Sequence, residues 1–280
     1  MALSNESNPS PPQKSSTSGL TKIEKHLQLR LRVFAGPNGS GKSTVIERIR
    51  KKRVARKAID FGFYINADDI ATALRKKGFS FDPFGIKVTP KDFQVIALAS
   101  GLINDDFPSE IFLRSFTIKK NILQLRISDY DEYLAQVAAD YLRKKMLDER
   151  RKFSFETVFS HSSKLETMRQ AKEAGYKVYL YFVSTESPLI NIFRVKARKE
   201  KGGHNVPAEK IESRYFRSLE FLYEASQLAY QAYFFDNSKD GEDFKVVAHF
   251  KLKSGKKQWD KIKKRDLTNW FKEYYLKKIP

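Results

Sequence analysis

The apolar positions alternate between a strand rhythm and a helix rhythm along most of the chain. LQLRLRVFAG, starting at Leu27, ends in small residues and predicts a strand entering a turn. The stretch after it places Val45, Ile46 and Ile49 on one helical face. FGFYIN, from Phe61, predicts a second strand, and the helix that follows carries Asp68 and Asp69 in its first turn. A third strand is predicted at Phe153–Phe159 after a helical Tyr130–Arg151. A fourth is predicted at Lys177–Ser184 after a helical Lys164–Ala174 and Gly175. A fifth, Tyr233–Asp236, follows a long amphipathic segment, Ala208–Ala229. Strands alternating with helices predict parallel βαβ units in a three-layer α/β sandwich, with the carboxyl ends of the strands on one ligand-binding edge.

Two regions depart from this rhythm. Residues 79–128 contain Pro83, Pro90 and Pro108 and no clear strand of the main sheet, so they read as a partly helical insertion. Beyond Asn237, KVVAHFKL alternates like an edge strand, and the stretch from Asp266 reads as a helix with Asp266 as its N-cap. Residues 1–20, rich in Ser, Pro and Asn, read as a disordered tail. The expected division is that tail, a domain at 21–245 and a basic extension at 246–280.

Composition narrows the function classes. With 53 Lys and Arg against 33 Asp and Glu, the 280-residue chain carries a formal charge of +20. It has no Cys, which excludes disulfides, zinc–thiolate sites and thiol nucleophiles. No apolar run is long enough to span a membrane, and the first residues lack the apolar core of a secretory signal, so a cytoplasmic protein is expected. The positive charge suits nucleic acid, phosphorylated small molecules or an acidic protein partner.

The strongest motif is Gly36-Pro37-Asn38-Gly39-Ser40-Gly41-Lys42-Ser43, followed by Thr44, a full G-x-x-x-x-G-K-[ST] phosphate loop between a predicted strand and a predicted helix. The glycines let successive amides turn inward, and the helix start adds its positive dipole end. Lys42 would reach the β- and γ-phosphates of ATP, and the Ser43 hydroxyl would ligate Mg²⁺. ABC-type ATPases share GPNGSGKST, but their LSGGQ-type loop and Asp-Glu strand are absent, as is an NKxD-like guanine reader. A small-molecule kinase fits what remains, with a carboxylate placing the acceptor hydroxyl and arginines neutralising the transferred phosphoryl. Asp68 and Asp69 follow the second strand, where either could serve as base or as helix cap. Glu156 interrupts an apolar strand, a costly position unless paired or functional, and Thr157 stands beside it. Arg194 and Arg198, four residues apart on a helix, lead a cationic cluster that includes Lys196, Lys199 and Lys201 and runs into Gly202-Gly203-His204, the composition of a lid. A solvated helical face explains Lys196 and Lys199 equally well.

These motifs resemble the zeta toxin family, in its chromosomal branch often labelled predicted ABC-type ATPase. The matching stretches are FAGPNGSGKST, INADDIA, SFETVFSH, GYKVYLYFVS, NIFRVKARKEKGGHNVPAEKIESRYFRSL and YFFDNS. The resemblance implies a P-loop kinase fold and phosphorylation of a sugar nucleotide, UDP-N-acetylglucosamine, at a sugar hydroxyl. It implies that Asp68 is the catalytic base, that Glu156 and Thr157 contact the acceptor and that Arg194 is the first lid arginine. The second lid arginine is not matched, leaving Arg198, Lys201 or His204 as stand-ins. The expected function is thus ATP- and Mg²⁺-dependent phosphoryl transfer to a small polar acceptor such as a UDP-sugar. One rival is a nucleic-acid kinase or ATP-gated binder using Phe250–Pro280, which holds 11 Lys and Arg, three acids and five interleaved aromatics at Trp259, Trp270, Phe271, Tyr274 and Tyr275. Docking of those aromatics on the domain is the plainer reading. The other rival is a non-catalytic interaction module with an acidic, antitoxin-like partner.

Overall fold

The computed structural model describes residues 28–54, 56–200, 206–261 and 264–280. The expected tail at 1–20 and the stretch Lys201 to His204 lie outside them. In chain order the elements begin with β1 (Arg30–Ala35), α1 (Lys42–Lys51), β2 (Arg53–Val54), β3 (Lys57–Ala58), β4 (Phe63–Ile65) and α2 (Ala67–Lys76). Next come β5 (Phe79–Ser80), α3 (Pro90–Leu98), α4 (Ser109–Arg114), β6 (Phe116–Lys119), β7 (Ile122–Leu125), α5 (Asp131–Asp148), β8 (Phe153–Thr157) and α6 (Ser163–Glu173). The rest are β9 (Lys177–Ser184), α7 (Pro188–Glu200), α8 (Ala208–Glu220), α9 (Leu222–Leu228), β10 (Gln231–Asp236), β11 (Lys245–Lys253), β12 (Lys256–Trp259) and α10 (Asn269–Tyr274).

The main sheet has the order β12-β11-β10-β9-β1-β8-β4. Its five strands from β10 to β4 run parallel, and β11 and β12 are antiparallel. This is the α/β P-loop architecture that the strand–helix rhythm predicts. Side chains alternate across β1, so Leu31, Val33 and Ala35 enter the larger core while Phe34 joins a smaller one beneath α1. Parallel register aligns Ala35 with Thr157 and with Phe182, and Ser184 with Asp236. The phosphate loop and the loops after β4, β8, β9 and β10 therefore leave the sheet along one edge.

Several expectations are corrected. Strand β11 is not the edge, because β12 pairs outside it. The segment 208–229 breaks at Phe221 into two helices, with Leu219 and Leu222 buried on either side. Asp266 is not the N-cap of the helix: it pairs with Lys245, Thr268 holds the cap position, and the helix begins at Asn269, whose amide donates to the Glu186 carboxylate at 3.0 Å. A tertiary acid thus takes the role expected of a local one. The 79–128 insertion adds no strand to the main sheet, as expected, but holds its own sheet, β5-β7-β6. Its Phe81 and Phe93 meet Tyr141 of α5 at 5.6 and 5.2 Å between ring centroids, so it shares the main core.

The expected basic extension is likewise built into that core. Phe234 of β10 is ringed by Phe250, Trp259, Phe271 and Tyr275, with centroids 5.0 to 6.3 Å away. Trp270, Phe271 and Tyr275 are buried, so those rings have no face free to stack on bases. Among the described residues, no helix is long and apolar enough to cross a membrane. Phe234→Ala should cost about 3–5 kcal/mol of stability by urea denaturation, since it empties the centre of this ring cluster. Val54→Ala, at an exposed site, should stay within about 0.5 kcal/mol.

Candidate nucleotide and acceptor site

The phosphate loop is shaped by what crowds it. A Cβ on Gly36 would sit 2.0 Å from the Val183 carbonyl oxygen, and one on Gly41 would sit 2.1 Å from Asn237 Nδ2. Gly41 is also the N-cap of α1, in the left-handed region at φ 89°, with no side-chain cap bond. The first amides of α1 are therefore available to an anion. Asn191 Nδ2 donates to the Asn38 carbonyl at 2.7 Å, and Asn237 Nδ2 donates to the Ser40 carbonyl at 2.9 Å. Buried Ser40 Oγ and Asn38 Oδ1 lack hydrogen-bond partners. Lys42 is buried and donates to the Gly36 and Pro37 carbonyls at 2.9 and 3.0 Å. Uncapped amides, orphaned polar atoms and a buried ammonium fit a polyphosphate. Pro37 is buried within the turn, while Ser43 and Thr44 lie exposed in the first turn of α1.

Electrostatics tie the other groups to Lys42. Burial lowers its pKa, Glu156 and Asp68 oppose that shift, and Arg198 adds to it. The structure thus brings the loop lysine, both expected carboxylates and one lid arginine into a single field. Asn66 caps α2 by accepting from the Asp68 amide at 3.0 Å, so neither Asp68 nor Asp69 is needed as the cap. Asp69 has its pKa raised by burial and by Asp68, with Arg50 opposing. Glu156 pairs with Phe34 in the sheet register and accepts from Tyr64 Oη at 2.9 Å and Asn66 Nδ2 at 3.4 Å. Burial and Glu156 together push the Tyr64 phenol far above its ordinary range, so it stays a donor. Thr157 Oγ1 accepts from the Phe159 amide at 3.0 Å, supporting a residue with φ of 62°.

The two lid arginines part company. Arg194 donates to the Asn237 carbonyl at 2.7 Å and, through Nε, to Asp240 at 2.8 Å. Its guanidinium is committed to the loop after β10. Exposed Arg198 is the one that acts on Lys42, while Lys196 and Lys199 lie exposed on the solvated side. Arg214 of α8 was not singled out from sequence, although RYFRSL contains it. It is half-buried, and burial lowers its pKa while Glu132 and Asp68 hold the charge in place. Behind the acceptor side, buried Lys164 has its pKa pushed down to about 7, by burial and then by Arg143, with Asp140 opposing.

Residues 123–239 match the family model described as zeta toxin. That stretch is similar to zeta toxin. It contains Glu156, Thr157, Arg194, Arg198 and Arg214, while the phosphate loop and Asp68 precede it and reach it through the parallel sheet. An uncharacterized protein of Haemophilus influenzae is 35% identical over 63 residues, 22% of this chain and 45% of its own length. The AvrRxo1-ORF1:AvrRxo1-ORF2 crystal structure with sulphate ions aligns at 17% identity and TM-score 0.48, covering 83% of this chain and 61% of that one. A structure from the PezAT chromosomal toxin–antitoxin system of Streptococcus pneumoniae aligns at 15% identity and TM-score 0.48, covering 93% and 84%. The chain thus spans about half of the curated relative and under two thirds of the AvrRxo1 chain.

The matched stretch carries a pH-dependent weakness. Lys164 has a depressed folded pKa, so the unfolded chain binds more protons between about pH 7 and its ordinary value of 10.5. Stability should rise with pH across that window, and the penalty should be complete below pH 7. Lys164→Met should therefore gain most over the parent near pH 6, and the gain should shrink by pH 9. Urea melts at both pH values check this.

Proposed function

We propose that the chain is an ATP-dependent phosphotransferase acting on a hydroxyl of a small polar acceptor. The observation that carries this is the convergence on Lys42 of the phosphate loop, Asp68, Glu156 and Arg198. The amides of the loop and of the first turn of α1 bind the β- and γ-phosphates, and Lys42 exchanges the Gly36 and Pro37 carbonyls for a phosphate oxygen. Ser43 would hold Mg²⁺, which would supply positive charge to offset that of the transferred group. Among the described residues no cluster of three or more His, Asp or Glu could hold a metal by itself, which fits an ion that arrives with the nucleotide.

Asp68 accepts the proton of the acceptor hydroxyl. The hydroxyl oxygen then bonds to the γ-phosphorus as the bond to the β–γ bridging oxygen breaks, and ADP leaves with that electron pair. Arg198 and Arg214 counter the charge on the moving phosphoryl. Glu156, held by Tyr64 and Asn66, and Thr157 orient the acceptor. The zeta toxin match makes a UDP-sugar, first UDP-N-acetylglucosamine, the acceptor to try.

Incubation with ATP, Mg²⁺ and a panel of sugar nucleotides and nucleosides, read by mass spectrometry, tests this. Asp68→Asn should cut turnover by about 10²–10⁴-fold while leaving ATP binding intact. Full activity in Asp68→Asn would remove the base, and no phosphorylated product from the parent chain would remove the reading.

A further inference from the structure

The last helix, α10, closes a ring of hydrogen bonds around the turn after β10. Trp270 is buried, and its indole Nε1 donates to Asp236 Oδ2 at 2.9 Å. The same carboxylate accepts from the Ser238 amide at 3.1 Å and from its hydroxyl at 2.9 Å. Ser238 Oγ accepts in turn from the Glu186 amide at 2.8 Å. The Glu186 carboxylate accepts from the Asn269 amide at the start of α10, at 3.0 and 3.2 Å. The ring therefore runs Trp270, Asp236, Ser238, Glu186, Asn269 and back along the chain to Trp270.

Asn237 lies inside that ring. Its amide donates to the Ser184 carbonyl at 2.9 Å, its side chain to the Ser40 carbonyl at 2.9 Å, and its own carbonyl accepts from Arg194. One residue thus holds β9, the phosphate loop and the lid helix together. It packs so close to Gly41 that no Cβ fits between them.

We propose that Trp270 is a positioning residue for the nucleotide site: through Asp236 it fixes the turn from which Asn237 grips the phosphate loop and Arg194. The inference rests on the nucleotide reading of that loop for its effect on ATP, but not for its effect on the loop itself. An indole N–H bonded to a buried-side carboxylate is a charge-assisted link, and its loss frees the Asp236 oxygen to draw the turn elsewhere. A shift there is felt at Ser40, two residues before Lys42.

The test uses the full chain with Trp270→Phe, which keeps an aromatic ring and removes the donor. Hydrogen exchange of the Gly39–Thr44 amides, read without nucleotide, should speed up about tenfold. The dissociation constant for a fluorescent ATP analogue with Mg²⁺ should rise about tenfold. Asn237→Ala should weaken ATP at least as much, and the double variant should be no weaker than Asn237→Ala alone, because both changes cut one linkage. Trp259→Phe, which disturbs the same ring cluster without touching the turn, should leave loop exchange and ATP affinity within about twofold. Ser238→Ala, which opens the ring at another link and spares the core, should move both readouts in the same direction as Trp270→Phe. Unchanged loop exchange in Trp270→Phe and Ser238→Ala would overturn the proposal, as would multiplicative effects in the double variant. Faster loop exchange in Trp270→Phe, together with a parent chain that does not bind the ATP analogue, would support the positioning role and overturn the nucleotide reading.

Discussion

The phosphate loop is wedged between two strand exits, and most of the site follows from that wedge. Gly36 lies against the Val183 carbonyl of β9, and Gly41 lies against the Asn237 side chain after β10. Neither contact leaves room for a Cβ, so the loop can take this path only with glycine at both positions. Parallel register then fixes what the loop can face. Ala35, where β1 ends, pairs with Thr157 on one side and Phe182 on the other. Glu156 and Thr157 are thus held beside the loop by backbone pairing alone, before any side chain is considered.

Lys42 shows the energetic consequence of this close packing. Burying an ammonium is costly, and here two loop carbonyls and the nearby charges of Glu156 and Asp68 offset part of that cost, leaving the pKa of Lys42 lowered. Both carbonyls belong to the loop that would receive phosphate. The lysine is therefore stored next to its working position instead of being folded out into solvent. The acids that steady it are the same ones proposed to handle an acceptor, which would couple the two halves of the site through one charge.

Much of this is legible in sequence because the signals are local. The five parallel strands are long or strongly apolar, and the loop motif sits between a strand and a helix as its chemistry requires. What escapes are features set by tertiary contact. Strands β5, β6 and β7 have two to four residues each, too few for alternation to register. The cap of α10 comes from Glu186, far away in the chain, so the nearby Asp266 is a false signal. Arg194 and Arg198 look equivalent at i and i+4, yet Asn237 and Asp240 claim only the first. Arg214 lacked a neighbour of its own in sequence: its partners, Glu132 and Asp68, come from α5 and α2.

The charge of +20 also takes on a different meaning in three dimensions. Residues 250–280 hold the densest aromatic and basic stretch, a pattern that reads equally as a nucleic-acid tract or as an amphipathic cover. The fold separates the two residue types. Trp270, Phe271 and Tyr275 turn inward onto Phe234, while Lys251, Lys253, Lys256, Lys272, Lys277 and Lys278 face solvent. Among the described residues of this stretch, Lys257 is the lysine drawn inward, its ammonium 4.7 Å from the Phe250 ring and bonded to Gln227 Oε1 at 2.9 Å, and burial pushes its pKa down to about 8. Rings used as core cannot also be a stacking platform, so three of the five aromatics in the nucleic-acid signal are taken up by the core, while Trp259 and Tyr274 are half-buried. The physical output of this stretch is instead mechanical: it completes the sheet with β11 and β12 and places Trp270 against Asp236. Its tie to the phosphate loop runs through the part-buried hydrogen bonds of Trp270, Asp236 and Asn237, and not through the charge that makes it conspicuous in the sequence.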